Sequence, residues 1–211
     1  PDGQRIFLAD YCSGQVRVYT PQGSSVATVP IAGALDLALS ADGGTLYVAA
    51  LTRIVSVDTA TYAQTASVPL NGSDSVLGMA LSPDGATLAA SSSNSGPAVY
   101  LFSASPLAVI QRVPIAATIP GFAVCPNHVT FIDAGRVLAW DSNCDWLYQV
   151  DVASRSYLAG SDIAYTRDSG SSFNSNNAIA YIPATGKAYG FNELYPQAQA
   201  TVSDPAAASA P

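Results

Sequence analysis

The chain has 211 residues, of which 49% are hydrophobic and only 11% are charged, and its formal net charge is −7. Its single lysine, glutamate and histidine are Lys187, Glu193 and His128. It contains no basic run that could attract a phosphate backbone or an anionic lipid surface, so we exclude nucleic-acid and membrane-surface binding. No stretch reaches the roughly 18 consecutive apolar residues that a membrane span needs, so we predict no membrane insertion.

The first half of the chain contains a repeat. The segments 1–9, 41–49 and 83–90 align with one another, and their Asp residues lie about 40 residues apart. Each segment begins with Asp-Gly at a predicted turn, and these turn residues are Asp2 and Gly3, Asp42 and Gly43, and Asp84 and Gly85. Glycine supplies the positive φ that a tight hairpin turn needs, and capping the turn explains each Asp without a further function.

Alternating apolar stretches follow these turns and predict further strands. They lie at 16–19, 54–58, 99–102 and 147–151, and the first three are followed by Val-Pro-Ile or Val-Pro-Leu. Alternation with a period of two, β-branched and aromatic residues, and Gly, Pro, Asp and Ser between the stretches favour strands over helices. We therefore predict an all-β chain in which each repeat unit holds four short strands.

The second half follows the repeat less closely. One hairpin is predicted to turn at Asp133–Arg136, and a last hairpin at 178–191 turns at 184–187. Between them we predict a long polar loop at 168–177. Beyond residue 195 the chain becomes rich in Pro, Ala and Ser, a composition that cannot bury a core and predicts a linker or tail over 196–211.

Four strands repeated about every 40 residues are typical of a β-propeller blade. The pattern Leu-Ser-(Pro/Ala)-Asp-Gly-x-x-Leu-(Tyr)-Val at 39–48 and 81–90 resembles the YVTN, lactonase-like and NHL class of propeller repeats, most clearly over residues 1–125. This resemblance implies a β-propeller built of four-stranded antiparallel blades, and it says little about activity.

The predicted propeller occupies residues 1–195 and has four to five blades. The blades lie near 1–34, 35–75, 76–120, 121–167 and 178–195. We count seventeen strands: three in the first unit, which lacks its innermost strand, four in each of the next three, and two in the last hairpin. Because a propeller has to close on itself, we predict a part of a larger propeller. The missing strands would come from upstream sequence or from a partner chain.

Three cysteines make an odd count, and two of them suggest a disulfide. If the hairpin turns at Asp133–Arg136, cross-strand partners have numbers that add up to 269, which places Cys125 opposite Cys144. Opposite strand positions can have the Cα separation that a disulfide requires. Pro126 interrupts the strand, so two small buried thiols remain the alternative. Cys12 would then be free or paired elsewhere.

Two features predict a secreted or cell-surface protein. A disulfide would indicate an oxidising compartment. Asn71-Gly72-Ser73 is a glycosylation sequon in a predicted surface turn, which makes Asn71 the candidate glycosylation site.

Candidates for catalysis are few. His128 is the sole imidazole, which excludes zinc sites built from several histidines within this segment. We interpret it as a loop or strand-end histidine. The segment Asp141–Asp145 has oxygen ligands at alternate positions, but it lacks the glycine and the acidic residue that complete a calcium loop, so a strand-end turn is preferred. The resemblance to lactonase-like propellers implies a cation held by acidic and amide side chains in the central channel, yet Glu193 lies outside the repeat positions. We predict no catalytic, cofactor-binding or metal-binding residue.

The expected function is therefore that of a non-enzymatic, extracellular or cell-surface propeller. It would act as a structural scaffold or protein–protein interaction module, and its partners would be other protein chains or further copies of itself that supply missing blades. Aromatic residues near the polar loop and the tail are candidates for a contact surface, namely Tyr165, Phe173, Tyr189 and Tyr195. The alternative is a lactonase-like hydrolytic propeller whose metal-binding residues lie mostly outside this segment.

Overall fold

The computed structural model describes residues 3–92, 94–116, 124–141, 146–162, 178–182, 184, 187–192 and 199–203. Within these ranges the chain forms eighteen β-strands and no helix, which confirms the predicted all-β class. The strands form five antiparallel sheets, and in each sheet consecutive strands are neighbours.

The first sheet contains β1 (Ile6–Asp10), β2 (Gln15–Tyr19) and β3 (Ser25–Pro30). The second contains β4 (Ala34–Leu39), β5 (Thr45–Ala50), β6 (Arg53–Asp58) and β7 (Gln64–Pro69), and the third contains β8 (Val76–Leu81), β9 (Thr87–Ser92), β10 (Ala98–Ser103) and β11 (Ala108–Pro114). The fourth contains β12 (His128–Asp133), β13 (Arg136–Asp141), β14 (Trp146–Asp151) and β15 (Ser156–Asp162), and the fifth contains β16 (Ala178–Ile182), β17 (Lys187–Asn192) and β18 (Gln199–Ser203).

The first strands of successive sheets lie next to one another. β4 lies beside β8, β8 lies beside β12, and β12 lies beside β16. These are the innermost strands, and the later strands of each sheet lie successively further out. In the first sheet β1 takes the second-strand position of the repeat and lies beside β4.

In the described part of the chain, three large layers of hydrophobic core lie between successive sheets, and a smaller cluster of Trp140 and Leu147 lies on the fourth sheet. The layer between the first and second sheets contains Val16, Val29, Leu46, Val48 and Val55. The next layer contains Tyr47, Met79, Leu88, Tyr100 and Phe102, and the third contains Val99, Leu101, Val129, Val137 and Tyr148. Alternating residues of one strand thus pack against different neighbouring sheets, which explains why the central strands are apolar on both faces.

The fifth sheet differs from the prediction by one strand. We predicted two strands there and a linker over 196–211, whereas β18 (Gln199–Ser203) pairs antiparallel with β17. The segment was missed because its composition was judged together with the Pro/Ala/Ser-rich residues beyond it, although it includes Thr201 and Val202. The predicted boundary at 195 and the remainder of the tail stay predictions.

The fourth sheet corrects the register used to pair the cysteines. Asp133 pairs with Arg136 as predicted, but a β-bulge follows, so that Phe131 pairs with Val137 and His128 pairs with Trp140. A bulge adds one residue to one strand, and apolar alternation does not reveal it. The argument that placed Cys125 opposite Cys144 is therefore wrong.

The thiols themselves give the predicted disulfide no support. Cys125 is a half-buried free thiol and Cys12 is an exposed one, whereas Cys144 lies outside the described residues.

Candidate interaction surface at one end of the sheets

Because the strands of each sheet run up and down, all turns lie at one of two ends. We call one end the Asp-turn end; it carries the turns between first and second strands and between third and fourth strands, at 20–24, 40–44, 59–63, 82–86, 104–107, 133–135 and 152–155. We call the other the connection end; its described parts are the turns and sheet-to-sheet connections at 11–14, 31–33, 51–52, 70–75 and 94–97.

The repeated Asp residues organise the Asp-turn end locally. Asp42 accepts hydrogen bonds from the Ser40 hydroxyl at 2.6 Å and from the Gly44 amide at 2.9 Å. Asp84 makes the same two bonds at the same spacing, at 2.6 and 3.0 Å. These hydrogen bonds, the one from the serine hydroxyl first, lower the pKa of both carboxyl groups. The glycines that follow, Gly43 and Gly85, have φ of 75° and 73°.

Other carboxylates at this end also serve their own turns. Asp58 accepts hydrogen bonds from the amide and the hydroxyl of Thr61, both at 2.7 Å. Asp133 forms an ion pair with Arg136 at 2.9 Å. Gly3 has φ of 70°, like the glycines of the two later repeats, whereas Asp2 lies outside the described residues. The Asp-turn end is therefore acidic, and its carboxylates are held by near neighbours in sequence.

At the connection end a buried carboxylate joins distant segments. Asp74 is 1% exposed and accepts hydrogen bonds from the Tyr100 hydroxyl at 2.7 Å, the Arg112 Nε at 2.8 Å and the Ser95 amide at 2.7 Å. Burial acts to raise the pKa of Asp74, but these hydrogen bonds outweigh it and hold the pKa well below its usual range. Arg112 also lies over the Tyr100 ring, 5.9 Å from its centroid. The network fixes the connection 70–75 against the turn 94–97.

Three innermost strands carry Asp36, Gly78 and His128 at equivalent positions, opposite the fifth residue of the second strand. Asp36 accepts the Met79 amide of the next sheet at 2.8 Å. A Cβ on Gly78 would lie 2.6 Å from the carbonyl oxygen of Asn127. Each of these contacts joins one sheet to the next.

His128 is held between strands rather than in a loop. It is the first residue of β12, and its ring lies 6.4 Å from the ring of Trp140 on the neighbouring strand. Burial lowers the pKa of His128, and the negative charge of Asp36 opposes this. Within the described ranges no group of three His, Cys, Asp or Glu side chains could hold a metal ion. His128 thus lies at the beginning of a strand, one of the two positions that the sequence suggested for it.

An apolar patch lies at the connection end, where the first and second sheets meet. Its residues are Tyr11, Ala32, Leu35 and Leu51; the exposed fractions are 53% for Tyr11 and 38% for each leucine, and Ala32 is also exposed. A Cβ on Gly33 would lie 2.7 Å from Leu51 Cδ1, so the Leu51 side chain lies directly over this glycine.

Backbone hydrogen bonds hold each turn of the apolar patch in place. The Ile31 amide donates to the Gly14 oxygen at 3.0 Å, which joins the turn 11–14 to the connection 31–33. The Leu70 amide donates to the Thr52 oxygen at 2.8 Å, which fixes the turn 51–52. The patch is therefore preformed, which lowers the entropy cost of binding.

The remaining predicted residues fall at several places. Asn71 is exposed in a turn at the connection end. Asp141 is fully buried and accepts the Cys125 amide at 2.6 Å. Tyr189 is in β17, whereas Tyr165, Phe173, Glu193, Tyr195 and Asp145 lie outside the described residues. The apolar patch was not predicted from the sequence because its members come from three separate turns and from the beginning of a strand. The sequence indicates it only through large apolar residues at turn positions, such as Tyr11 and Leu51.

Comparison with known proteins identifies the fold. No protein-family model matches the chain, and no curated protein matches it. Hydrazine synthase of Kuenenia stuttgartiensis, which contains a β-propeller, matches with a TM-score of 0.71 at 15% sequence identity. The match covers 90% of this chain and 53% of that one, so this chain spans about half the length of the solved chain.

The chain is therefore an all-β propeller with antiparallel blades, as predicted. In total 1275 solved chains match it. Because so many proteins share this fold, the fold alone does not indicate a function. The finer resemblance to the YVTN, lactonase-like and NHL repeats stays a prediction. No helix in the described part of the chain is long and apolar enough to span a membrane.

Proposed function

We propose that this chain is a non-enzymatic scaffold that binds another protein through the apolar patch at its connection end. The observation that carries the proposal is the exposure of three large apolar side chains, Tyr11, Leu35 and Leu51, in segments of the first and second sheets that meet at the connection end. Large apolar and aromatic side chains that remain exposed together are typical of protein contact sites.

We also propose that the protein works outside the cell or at its surface. The exposed position of Asn71 supports this, because a sequon must be accessible to be glycosylated. Asn71 lies at the connection end, in the connection that follows the second sheet. A glycan there would stand beside the contact surface. Mass spectrometry of the protein from its natural source would contradict this part of the proposal if Asn71 were unmodified and the protein were recovered from inside the cell.

The binding proposal is tested with a double variant of the apolar patch and a matched control. Leu51 has φ of 49°, and Asn is tolerated at positive φ, so Leu51→Asn together with Tyr11→Ser removes two of the three large apolar side chains of the patch without straining the turn. The control is Tyr62→Asn, because Tyr62 has φ of 61° in a turn at the opposite end of the same sheet.

Each protein is immobilised and exposed to an extracellular extract of the source cells. We expect a partner that the wild type and Tyr62→Asn retain equally and that the double variant retains at least about tenfold less, which corresponds to the loss of about 1.4 kcal/mol of binding free energy. Equal retention by all three proteins, or no retained protein, would overturn the proposal. A stoichiometric cation in the purified protein would contradict the non-enzymatic part.

A further inference from the structure

One arginine at the connection end differs from the other half-buried arginines in the described part of the chain. Arg17, Arg112 and Arg136 each form an ion pair with an aspartate, at 2.7, 2.8 and 2.9 Å. Arg53 is half-buried as well, but within the described residues it forms no ion pair, and its buried Nε has no hydrogen-bond partner. A buried donor on a charged group is costly when it stays unpaired, which points to a partner from another molecule.

Arg53 lies at the same place as the apolar patch. It is the first residue of β6 and directly follows the turn 51–52, which carries Leu51. Alternate residues of a strand share a face, so Arg53 lies on the same face of β6 as Val55 and Val57. Both valines pack in the core layer between the first and second sheets. The Arg53 side chain therefore faces the first sheet at the connection end, where the segments of the apolar patch meet.

The carboxylates toward this end already have other partners. Up to the end of the third sheet, the described aspartates that lie toward the connection end are Asp10, Asp36 and Asp74. Asp10 and Asp74 each form an ion pair with another arginine, and Asp36 accepts two backbone amides. None of these aspartates neutralises Arg53. Its guanidinium is therefore available to a carboxylate that arrives with a binding partner.

We infer that the partner segment that covers the apolar patch places an Asp or Glu side chain on Arg53. This inference rests on the proposed binding function of the patch. Apolar side chains of the segment cover Tyr11, Leu35 and Leu51, while its carboxylate accepts hydrogen bonds from the Arg53 guanidinium, one of them from Nε. A guanidinium binds a carboxylate through two parallel hydrogen bonds of fixed geometry. The surface therefore selects an apolar segment that also carries a negative charge, and the ion pair fixes its position.

Short peptides serve as probes for this partner chemistry. A phage library of short random peptides is selected on the immobilised full chain, and those peptides are kept that the Tyr11→Ser, Leu51→Asn double variant does not retain. Their affinities are measured for the wild type, for Arg53→Gln and for the control Arg155→Gln. Arg155 is exposed in the turn 152–155 at the Asp-turn end, so the control removes the same charge from the other end.

We expect the kept peptides to combine apolar residues with at least one Asp or Glu. They should bind Arg53→Gln at least about tenfold more weakly than the wild type and bind Arg155→Gln as tightly as the wild type. Replacing the acidic residue of the peptide by its amide should weaken binding to the wild type by a similar factor, yet leave binding to Arg53→Gln unchanged. Such non-additive losses arise when two groups contact each other.

The stability of the free chain separates this role from a structural one. Arg53→Gln removes no ion pair that the described residues form, so we expect urea unfolding to show no loss of stability. A clear loss of stability would mean that Arg53 is retained for folding, and it would overturn the inference.

Other outcomes distinguish the inference from the proposed function. Patch-dependent peptides that bind the wild type and Arg53→Gln equally would overturn the inference and leave the proposed function standing. If no selected peptide depends on the patch, the proposed function fails and the inference fails with it. A dimer in sedimentation that Arg53→Gln abolishes would also overturn the inference, because the occupant would then be a second copy of this chain.

Discussion

The two ends of the sheets hold similar numbers of aspartates but use them differently. At the Asp-turn end, Asp42 and Asp84 bond to residues two positions away and stay exposed. Toward the connection end, Asp74 accepts a hydrogen bond from Arg112, 38 positions away, and Asp36 of β4 accepts one from Met79 of the next sheet, 43 positions away. The aspartates of the Asp-turn end thus stabilise local turns and leave their charge in water, whereas Asp74 and Asp36 join segments that are distant in sequence.

The largest difference between the ends is expected from Asp74→Ala. This variant leaves the Arg112 guanidinium and the Tyr100 hydroxyl without their carboxylate, and loss of one partner of a buried ion pair costs about 3–5 kcal/mol. Arg112 is partly exposed, so we expect a value near the lower limit. Asp84→Ala at the other end should cost much less, because water replaces its bonds. Urea unfolding of both variants measures the difference, and equal losses would contradict the contrast.

The second effect is a pH dependence that belongs to the connection end. The folded pKa of Asp74 lies below the value of about 3.9 for an unfolded chain, so its contribution to stability is complete above that pH. It is lost progressively as the pH falls through the range between the unfolded and the folded pKa. We expect the stability difference between the wild type and Asp74→Asn to be constant from pH 7 to 5 and to shrink below pH 4. A difference that does not change down to pH 2 would exclude this role.

A smaller effect is expected from Gly78→Ala. The added Cβ would lie 2.6 Å from the Asn127 carbonyl oxygen, and both the glycine and this oxygen belong to backbone that cannot easily move. Overpacking of this kind costs about 1–3 kcal/mol. Gly44→Ala is the matched control at the Asp-turn end, since its Cβ would come no closer than 3.5 Å to any atom. Thermal unfolding measures the melting temperatures of the two variants. Equal melting temperatures would show that the third and fourth sheets can move apart at Gly78 without a loss of stability.

The same contrast explains what the sequence could predict. The strands and the Asp-Gly turns follow from alternation and turn chemistry, which act between residues close in sequence. The bond from Met79 to Asp36 depends on how two sheets stack, and the bond from Arg112 to Asp74 depends on how a connection lies against the outermost strand of the sheet that it leads into; no local pattern encodes either. The bulge between Phe131 and Asp133 was missed because one inserted residue leaves the apolar pattern on either side intact. The apolar patch was missed for a related reason, since its members are adjacent only after the first two sheets have packed.

The smallest stability effect is expected at the apolar patch itself. Leu51→Asn removes an exposed apolar side chain at a positive φ that Asn tolerates, so the gain in turn conformation offsets the lost contact with Gly33. We expect the free energy of unfolding to change by less than about 0.5 kcal/mol, measured by urea unfolding. A loss above about 1 kcal/mol would mean that Leu51 is retained for packing. A neutral result combined with lost partner binding would mean that the fold does not need this exposed leucine, and that binding is the reason it is there.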